Sequence, residues 1–304
     1  MARDGMLCMA ELDHPYHGDG MWLRGNLHAH STESDGVRSP GDVVADYAAR
    51  GYDFLAISDH DTFTDPADLD HQGSLVTIPA VEVSDAGPHT LHLGATGAVT
   101  PSEDRQSVVQ AILDDSGLAV PAHPNWQESY AHWPQEELER IHGYQGIEVY
   151  NGLIEHHPGA ARATDRWDRL LSTGRRVWGF ANDDSHRPWE VARGWNVVRS
   201  ADLTAEAILA SMESGNFYAS TGVFVEEIDV SDGTMSVETT NADQIRLISD
   251  FGLVQQTATG PTATFRVPDQ LVHGSAHSYV RVECVGRGTN MAWLQPMFLD
   301  NRSE

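Results

Sequence analysis

Short apolar runs recur along the first two-thirds of the chain, and each is followed by a stretch of helical or loop composition. Runs of three or four apolar residues suit strands that are buried on both faces. They lie at residues 21–23, 54–57, 75–78, 118–120, 147–150, 177–180 and 195–198. The pattern predicts a repeating β-α unit with about seven strands, which continues to about residue 220.

Capping residues mark the helices between these runs. Ser39 followed by Pro40 is typical of a helix start, and Gly51 follows the expected end of the same helix. Gly117 and Gly174 stand where two later helices should end. This spacing favours an α/β fold built as a (β/α) barrel, or a distorted relative of one, over an open sheet. In such a barrel, functional side chains gather at the carboxyl ends of the strands.

From about Val223 the pattern changes to short alternating runs separated by turn residues. These runs lie at residues 235–239, 244–248, 263–267 and 279–283. They predict a small antiparallel β unit that packs on the barrel and has a structural, oligomerisation or gating role. We therefore divide the chain into an amino-terminal extension (1–20), a barrel (21–222) and a β-rich carboxyl-terminal domain (223–304).

The charge is strongly one-sided. The chain has 45 acidic residues against 19 basic ones, all of them arginine, so that its formal net charge is −26. Such a surface repels itself at ordinary ionic strength, whereas molar salt shortens the Debye length to about 3 Å and screens the repulsion. We expect a salt-adapted, halophilic protein. The alternative is an acidic face for a basic partner, but the charge is spread along the chain and forms no tail.

Composition also bears on partners and location. The acidity disfavours a stable complex with nucleic acid, although nucleic acid stays open as a substrate. No run approaches the roughly 18 apolar residues of a membrane span, and the amino terminus lacks the apolar core of a secretory signal. We expect a cytoplasmic protein without a membrane partner. Cys8 and Cys284 are the only cysteines, which argues against a disulfide framework or a thiolate zinc site.

Nine side chains able to bind a metal follow the predicted strands in order. Histidine and carboxylate ligands together suit Zn²⁺, Mn²⁺ or Fe²⁺, and a bridging carboxylate can hold two ions close enough for hydrolysis. Without a cation, such groups at one barrel end would repel each other and carry heavy desolvation costs. The candidates are His28, His30, Asp35, His60, Glu82, one of His89 and His92, His123, Asp184 and His186. The sequence therefore predicts a multinuclear metallohydrolase.

Seven motifs stand out, and six of them contain candidate ligands: His28-Ala29-His30-Ser31, Ser34-Asp35-Gly36, Ser58-Asp59-His60-Asp61, Val81-Glu82-Val83, Ala122-His123-Pro124 and Asp184-Ser185-His186, with Ile147-Glu148-Val149-Tyr150-Asn151 as the seventh. In combination they are highly specific, and they resemble the polymerase and histidinol phosphatase (PHP) family over about residues 20–222. A weaker resemblance, in residues 215–222 and 279–283, is to the CehA/McbA-like metallohydrolase branch of that family.

The resemblance implies a distorted (β/α)7 barrel with two or three divalent ions of Zn, Mn or Fe. The ligand sets that it implies are His28, His30, Glu82 and Asp184 for the first ion, Asp35, His60 and His186 for the second, and Glu82, His123 and either His92 or His89 for a third.

The sequence departs from the family pattern at the histidine for the third ion. Family members tend to show a histidine three residues before a glycine, whereas His92 lies two residues before Gly94 and His89 lies five before it. We favour His92 and keep His89 as the alternative. Asn182 and Asp183 replace a common Gly-Ser pair in the last motif, but the Asp-x-His core is present, so that Asp184 remains the expected ligand.

The implied chemistry is hydrolysis by a metal-bridging hydroxide, since two cations that share a water lower its pKa toward neutrality. Our catalytic candidates are Asp59, Arg187 and His186. Asp59 could orient the imidazole of His60, or it could be a solvated turn carboxylate. Arg187 could clamp a phosphate by bidentate hydrogen bonds. A histidine of the cluster or a metal-bound water would suffice to protonate the leaving oxygen.

We expect a metal-dependent phosphoesterase that acts on a small phosphorylated molecule or a nucleotide. The resemblance to the CehA/McbA-like branch keeps hydrolysis of a carboxylic or carbamate ester as the alternative. A metal-binding module without turnover is a lesser alternative. A basic side chain at the metal cluster would favour the phosphate ester, and a wide apolar pocket beside it would favour the carboxylic ester.

Overall fold

The computed structural model describes residues 12–69, 75–267 and 279–299. Within them the architecture is mixed α/β, with one large sheet, two smaller sheets and few helices. This confirms the predicted α/β class. None of the described helices has the length and apolar character needed to cross a membrane.

The described residues before Val223 include ten strands and five α-helices. The strands are β1 (Leu12–Asp13), β2 (Met21–Asn26), β3 (Phe54–Ile57), β4 (Val76–Val83), β5 (Thr90–Leu93), β6 (Leu118–Pro121), β7 (Gly146–Asn151), β8 (Trp178–Asn182), β9 (Trp195–Ser200) and β10 (Phe217–Ser220). The helices are α1 (Pro40–Ala49), α2 (Arg105–Asp114), α3 (Gln135–Arg140), α4 (Thr164–Ser172) and α5 (Ala205–Glu213). All seven predicted strand runs fall on strands of the structure.

Helix α1 shows why these boundaries could be predicted. The Ser39 hydroxyl accepts a hydrogen bond from the Asp42 amide at 3.2 Å, and Pro40 occupies the first turn. After the helix, Gly51 adopts a left-handed φ of 72°, which glycine tolerates without steric cost. Val43, Val44 and Tyr47 form the buried face of the helix against the core.

The strands before Val223 form a ring that is less regular than a (β/α)7 barrel. Strands β2, β3 and β4 are parallel neighbours, but β5 and β6 continue the sheet in antiparallel fashion and β9 is antiparallel to β2. The separate parallel pair β7–β8 lies between β6 and β9. Within the described residues no ladder joins β6 to β7 or β8 to β9. The structure thus keeps the α/β ring but not a uniform alternation of parallel strands and helices.

Five of the eight carboxyl-terminal strands in the described residues continue the large sheet. The eight strands are β11 (Val225–Ser231), β12 (Thr234–Thr239), β13 (Gln244–Ser249), β14 (Leu253–Thr259), β15 (Thr262–Arg266), β16 (Tyr279–Val285), β17 (Met291–Leu294) and β18 (Met297–Leu299). Strands β11, β12 and β15 form a small antiparallel sheet, whereas β17 pairs with β10 and β18 pairs with β1. The large sheet therefore crosses both predicted boundaries, near residues 20 and 222.

A buried ion pair also joins the two parts of the chain. Asp168 on α4 accepts hydrogen bonds from Arg281 Nε and Nη2 on β16, both at 2.7 Å. The Tyr279 hydroxyl donates to the same carboxylate, also at 2.7 Å. Both charged side chains are almost fully buried, so each depends on the other to offset its desolvation.

We predict that Asp168→Asn lowers the free energy of unfolding by about 1.5–3 kcal/mol, because the buried Arg281 guanidinium loses its charge-assisted bonds to Asp168 and keeps only Glu283, at 2.8 Å from Nη1, as a counter-charge. Denaturant unfolding followed by circular dichroism measures the change. The matched control is Arg140→Gln, which breaks an exposed ion pair with Glu137 and should cost about 0–1 kcal/mol. Equal losses in the two variants would contradict the prediction.

Candidate metal centre

The structure brings nine of the predicted ligands together, at the end of the ring where the parallel strands finish. His28 and His30 follow β2, His60 follows β3, Glu82 lies near the end of β4 and Asp184 follows β8. Such convergence is the usual consequence of parallel strands that end at one face. The assembled side chains are His28, His30, Asp35, His60, Glu82, His89, His123, Asp184 and His186.

Glu82 is the centre of this cluster. Its Oε2 lies 3.3 Å from His28 Nε2 and 2.9 Å from His60 Nδ1. Its Oε1 lies 3.0 Å from both His89 Nδ1 and His123 Nε2. The carboxylate is fully buried, and each of its oxygens faces ring nitrogens from different segments. This is the arrangement expected of a bridging carboxylate.

Asp184 forms the second buried carboxylate. Its Oδ1 lies 3.2 Å from His28 Nε2 and 3.0 Å from His30 Nε2. Asn151 donates to its Oδ2 at 3.2 Å, which fixes the plane of the carboxylate. The backbone of Asp184 has a left-handed φ of 54°, a conformation that is uncommon for residues other than glycine, although aspartate adopts it more readily than most. Strain of this kind is often found at functional sites.

Asp35 lies at the mouth of the cluster. Its Oδ1 is 3.1 Å from His186 Nε2 and 3.6 Å from His60 Nε2. The hydrogen bond with His186 lowers the pKa of Asp35 to about 2. Burial opposes the charged imidazole, yet the hydrogen bond with Asp35 raises the pKa of His186 to about 9. Both atoms face the same space beside His60, and a cation that bound them there would displace the His186 proton.

The donor atoms of the cluster fit divalent metal ions. Several buried atoms lie close to one another and yet make no hydrogen bond, namely His28 Nε2, both ring nitrogens of His30, His60 Nδ1, Glu82 Oε2 and Asp184 Oδ1. Each buried polar atom without a hydrogen bond costs about 1–3 kcal/mol of stability. So many of them in one place indicate that they bind a shared partner, such as a cation. Imidazole and carboxylate donors without a thiolate suit Zn²⁺, Mn²⁺ or Fe²⁺.

Glu148 holds the cluster from behind. Its Oε1 lies 2.9 Å from His28 Nδ1 and accepts a hydrogen bond from Asn182. Its Oε2 accepts from the His123 amide at 2.7 Å and from Asn151 at 2.9 Å. With no exposed acceptor left, Glu148 braces two ligands and does not reach a substrate. A carboxylate behind a ligand imidazole fixes both its tautomer and its orientation.

The structure places Asp59 away from its expected role beside the His60 ring. Asp59 Oδ1 accepts hydrogen bonds from the Ser31 amide at 2.7 Å and the Ser34 hydroxyl at 2.6 Å. Its Oδ2 accepts from the hydroxyls of Ser31 and Thr64. These bonds fix the loop between His30 and Asp35. Asp59 therefore neither supports the His60 ring nor stands as a solvated turn carboxylate, the two roles considered from the sequence.

His92 is not brought to the cluster, and His89 takes the place that we favoured for it. Strand β5 runs antiparallel to β4 and β6, so that its first residues lie where β4 and β6 end. His89 directly precedes β5, and its carbonyl accepts a hydrogen bond from the Ala122 amide at 3.0 Å. His92 lies farther along the strand, with Nε2 3.2 Å from Asp115 Oδ2. The preference for His92 is therefore corrected.

His132 is a member of the site that the sequence did not indicate. Its ring lies beside those of His89 and His123, and its Nε2 accepts a hydrogen bond from the His89 amide at 2.9 Å. Burial, together with the neighbouring imidazole of His123, lowers the pKa of His132 to about 2, so the ring is neutral. It lies on a loop and follows neither a strand nor a motif, and the only signal was its nearness to Trp126 and Trp133.

A cavity of about 280 Å³ opens onto the cluster. Its lining combines the ligand side chains Asp35, His60, Glu82, His89, His123, Asp184 and His186, an apolar wall of Trp126, Leu153 and Ile154, and the polar residues His157 and Arg187. The Arg187 guanidinium lies 5.7 Å from the centre of the exposed Trp189 ring and is about half exposed. Arg187 thus lines the cavity, and its predicted role as a phosphate clamp stays a prediction.

No family model matches the chain, and no curated protein matches its sequence. A solved two-domain protein of Bacteroides vulgatus ATCC 8482, which contains a predicted PHP-like metal-dependent phosphoesterase, superposes with a TM-score of 0.52 at 16% identity, covering 98% of this chain and 92% of that one. The lesion-specific endonuclease PfuEndoQ of Pyrococcus furiosus gives 0.47 at 14% identity, covering 64% of this chain and 56% of its own. PsfC of Pseudomonas syringae PB-5123 gives 0.45 at 14% identity, with 64% and 88% covered.

The first likeness spans nearly the whole of both chains. The chain therefore shares the fold of that two-domain protein.

Proposed function

We propose that the chain is a metal-dependent phosphoesterase of the PHP family, whose ring of strands is a distorted form of the family barrel. The observation that carries the proposal is a buried cluster of unpaired imidazole and carboxylate atoms at the base of a cavity whose rim holds Arg187. The cluster suits divalent cations, and the arginine suits an anionic substrate.

The ligand residues divide into three groups, two of which share Glu82. Such ions, once bound, would supply a Lewis acid and make water nucleophilic near neutral pH. The groups that we propose are His28, His30, Glu82 and Asp184 for the first ion, Asp35, His60 and His186 for the second, and Glu82, His89 and His123 for the third.

The chain's own residues then have separate tasks. Glu82 and Asp184 neutralise cations from within the protein, while Asp35 faces the cavity and is the most exposed of the three carboxylates. Arg187 can turn its planar fork of N–H donors toward a phosphoryl group, because its nearest carboxylate, Glu190, is 3.6 Å away. A single cation at the rim also offsets part of the repulsion between an anionic substrate and a protein of net charge −26.

The size of the cavity limits the substrate. A volume of about 280 Å³ lies near the lower end of the range for ligand sites, which is roughly 300–1,000 Å³. We infer a small phosphorylated molecule, with a nucleotide near the upper limit of what fits.

A second candidate, hydrolysis of a carboxylic or carbamate ester, is favoured by one feature of the same cavity. Trp126, Leu153 and Ile154 give it an apolar wall, which suits an uncharged ester better than a phosphate. A binding module without turnover is disfavoured, because such a module does not need an open cavity beside a complete ligand set.

A matched pair of chromogenic substrates, a phosphate monoester and a carboxylic ester, tests the two functions with Mn²⁺ in molar salt. We expect turnover of the phosphate ester and its loss on chelation or in His28→Ala, since His28 faces both buried carboxylates. His142→Ala, at an exposed histidine outside the cluster, is the control and should keep full turnover. Turnover of the carboxylic ester alone would establish the second candidate, and no turnover of either with ions bound would favour the module.

We predict that Arg187→Gln lowers kcat/KM for the phosphate monoester about 10–100-fold, the loss expected for a charge-assisted hydrogen bond of roughly 1.5–3 kcal/mol. Steady-state kinetics measures the loss. Arg193→Gln removes a nearby positive charge whose side chain bonds to the Trp189 carbonyl and does not line the cavity, so it controls for the general field. Equal losses in the two variants would remove Arg187 from the substrate site.

We also infer that the chain is adapted to salt, because 45 acidic residues face 19 arginines and no lysine. The free energy of unfolding should rise as KCl increases from about 0.1 M to 2 M, while the Debye length falls from about 10 Å to below 3 Å. Urea unfolding at each salt concentration measures it. Sucrose at matched osmolality is the control, since it stabilises without screening. A flat or falling salt dependence would contradict the inference.

A further inference from the structure

Three hydrogen bonds hold the backbone of His89. Its amide donates to His132 Nε2 at 2.9 Å. Its carbonyl accepts from the indole Nε1 of Trp133 at 2.7 Å and from the Ala122 amide at 3.0 Å. Every hydrogen-bonding capacity of its main chain is therefore used, and two of the three partners are side chains from one short loop.

That loop begins at another ligand of the same group. The Trp126 amide donates to the His123 carbonyl at 3.0 Å, and the Trp133 amide donates to the Pro124 carbonyl at 3.2 Å. The chain thus leaves His123, turns, and returns with His132 and Trp133 beside His89. The two imidazoles that face Glu82 Oε1 are tied to each other through this loop.

The atom that His89 presents explains why a backbone anchor is effective there. Its Nδ1, the ring nitrogen nearer the main chain, faces Glu82, whereas His123 presents the distant Nε2. Fewer bonds separate Nδ1 than Nε2 from the main chain. Hydrogen bonds that fix the amide and carbonyl of His89 therefore also restrict the position of its Nδ1. His28, which presents Nε2, is instead supported on its ring, where Nδ1 lies 2.9 Å from Glu148.

His132 could be read as a fourth ligand, because its ring lies within reach of the same group. Its geometry argues against that reading. The lone pair of Nε2 points at the His89 amide, and Nδ1 faces the side-chain amide of Gln127 at 3.2 Å. Both ring nitrogens of His132 therefore have hydrogen-bonding partners, and neither has a free lone pair to offer a cation.

We propose that His132 and Trp133 are positioning residues that set the affinity of the ion site formed by Glu82, His89 and His123, without touching the ion or the substrate. The proposal rests on the metal part of the proposed function and not on its phosphoesterase part. It assigns a role to the loop of residues 124–133 beyond that of a cavity wall, since this loop fixes one ion site of the three.

The test compares His132→Phe with His132→Gln. Phenylalanine keeps a ring of similar size but leaves the buried His89 amide without an acceptor, whereas the glutamine carbonyl can replace Nε2 as acceptor and is a poor ligand for zinc. Zn²⁺ bound per chain is measured by elemental analysis after dialysis against chelator-buffered zinc. Trp133→Phe, which removes only the indole donor and some ring area, is the second probe, and His142→Phe is the control at an exposed site.

We expect wild type, His132→Gln and His142→Phe to bind the same number of ions. His132→Phe and Trp133→Phe should bind one ion fewer at the same free zinc, with about 10–100-fold weaker affinity for the last ion. An unchanged last ion in both phenylalanine variants would overturn the proposal. So would equal loss in His132→Gln and His132→Phe, since His132 would then be a ligand. Thermal unfolding identifies a variant that fails to fold, in which case the other probe decides. Because no substrate is involved, failure of the phosphoesterase function would leave this result unaffected.

Discussion

The burial of one carboxylate, Glu82, constrains much of the structure around it. Burial alone would raise its pKa, but the surrounding imidazoles, His28 and His89 foremost, hold that pKa well below its usual range, so the group is a buried anion. An anion without exposed surface is costly unless charge and hydrogen bonds surround it. The ends of β2, β3 and β6 and the start of β5 therefore have to meet at Glu82, and the ring of strands is the scaffold that makes them meet.

Two different devices then fix the imidazoles. Where the ring presents Nε2, the free Nδ1 can be held by a carboxylate, as Glu148 holds His28 at 2.9 Å. At His89, which presents Nδ1, the support acts on the main chain through His132 and Trp133. Both devices use residues from segments that contribute no ligand.

The sequence predicted what depends on local pattern. The run 54–57 coincides with β3, and Ser39 with Pro40 starts α1, because apolar runs and caps act through neighbouring residues. The ligands that follow parallel strands could be predicted for the same reason.

What could not be predicted depends on strand direction and distant contacts. β5 has only four residues and was not foreseen, and because it runs antiparallel its start, not its end, lies at the cluster. A spacing rule based on glycine then favoured His92 over His89. His132 lies on a loop, and the pairing of β10 with β17 joins residues about seventy positions apart, so neither leaves a local signal.

Charge connects the site to the rest of the surface. The summed positive charge of three divalent ions would exceed the summed negative charge of Asp35, Glu82, Glu148 and Asp184. The filled site, with Arg187 at its rim, would therefore attract anions. The rest of the chain has the opposite effect, since its net charge of −26 repels a phosphate ester from a distance. At low salt the long-range repulsion acts over about 10 Å or more, whereas in molar salt it is screened to about 3 Å and the short-range attraction remains. Acidity over the surface and cations at the cavity are therefore compatible in salt, because screening removes the first effect before it removes the second.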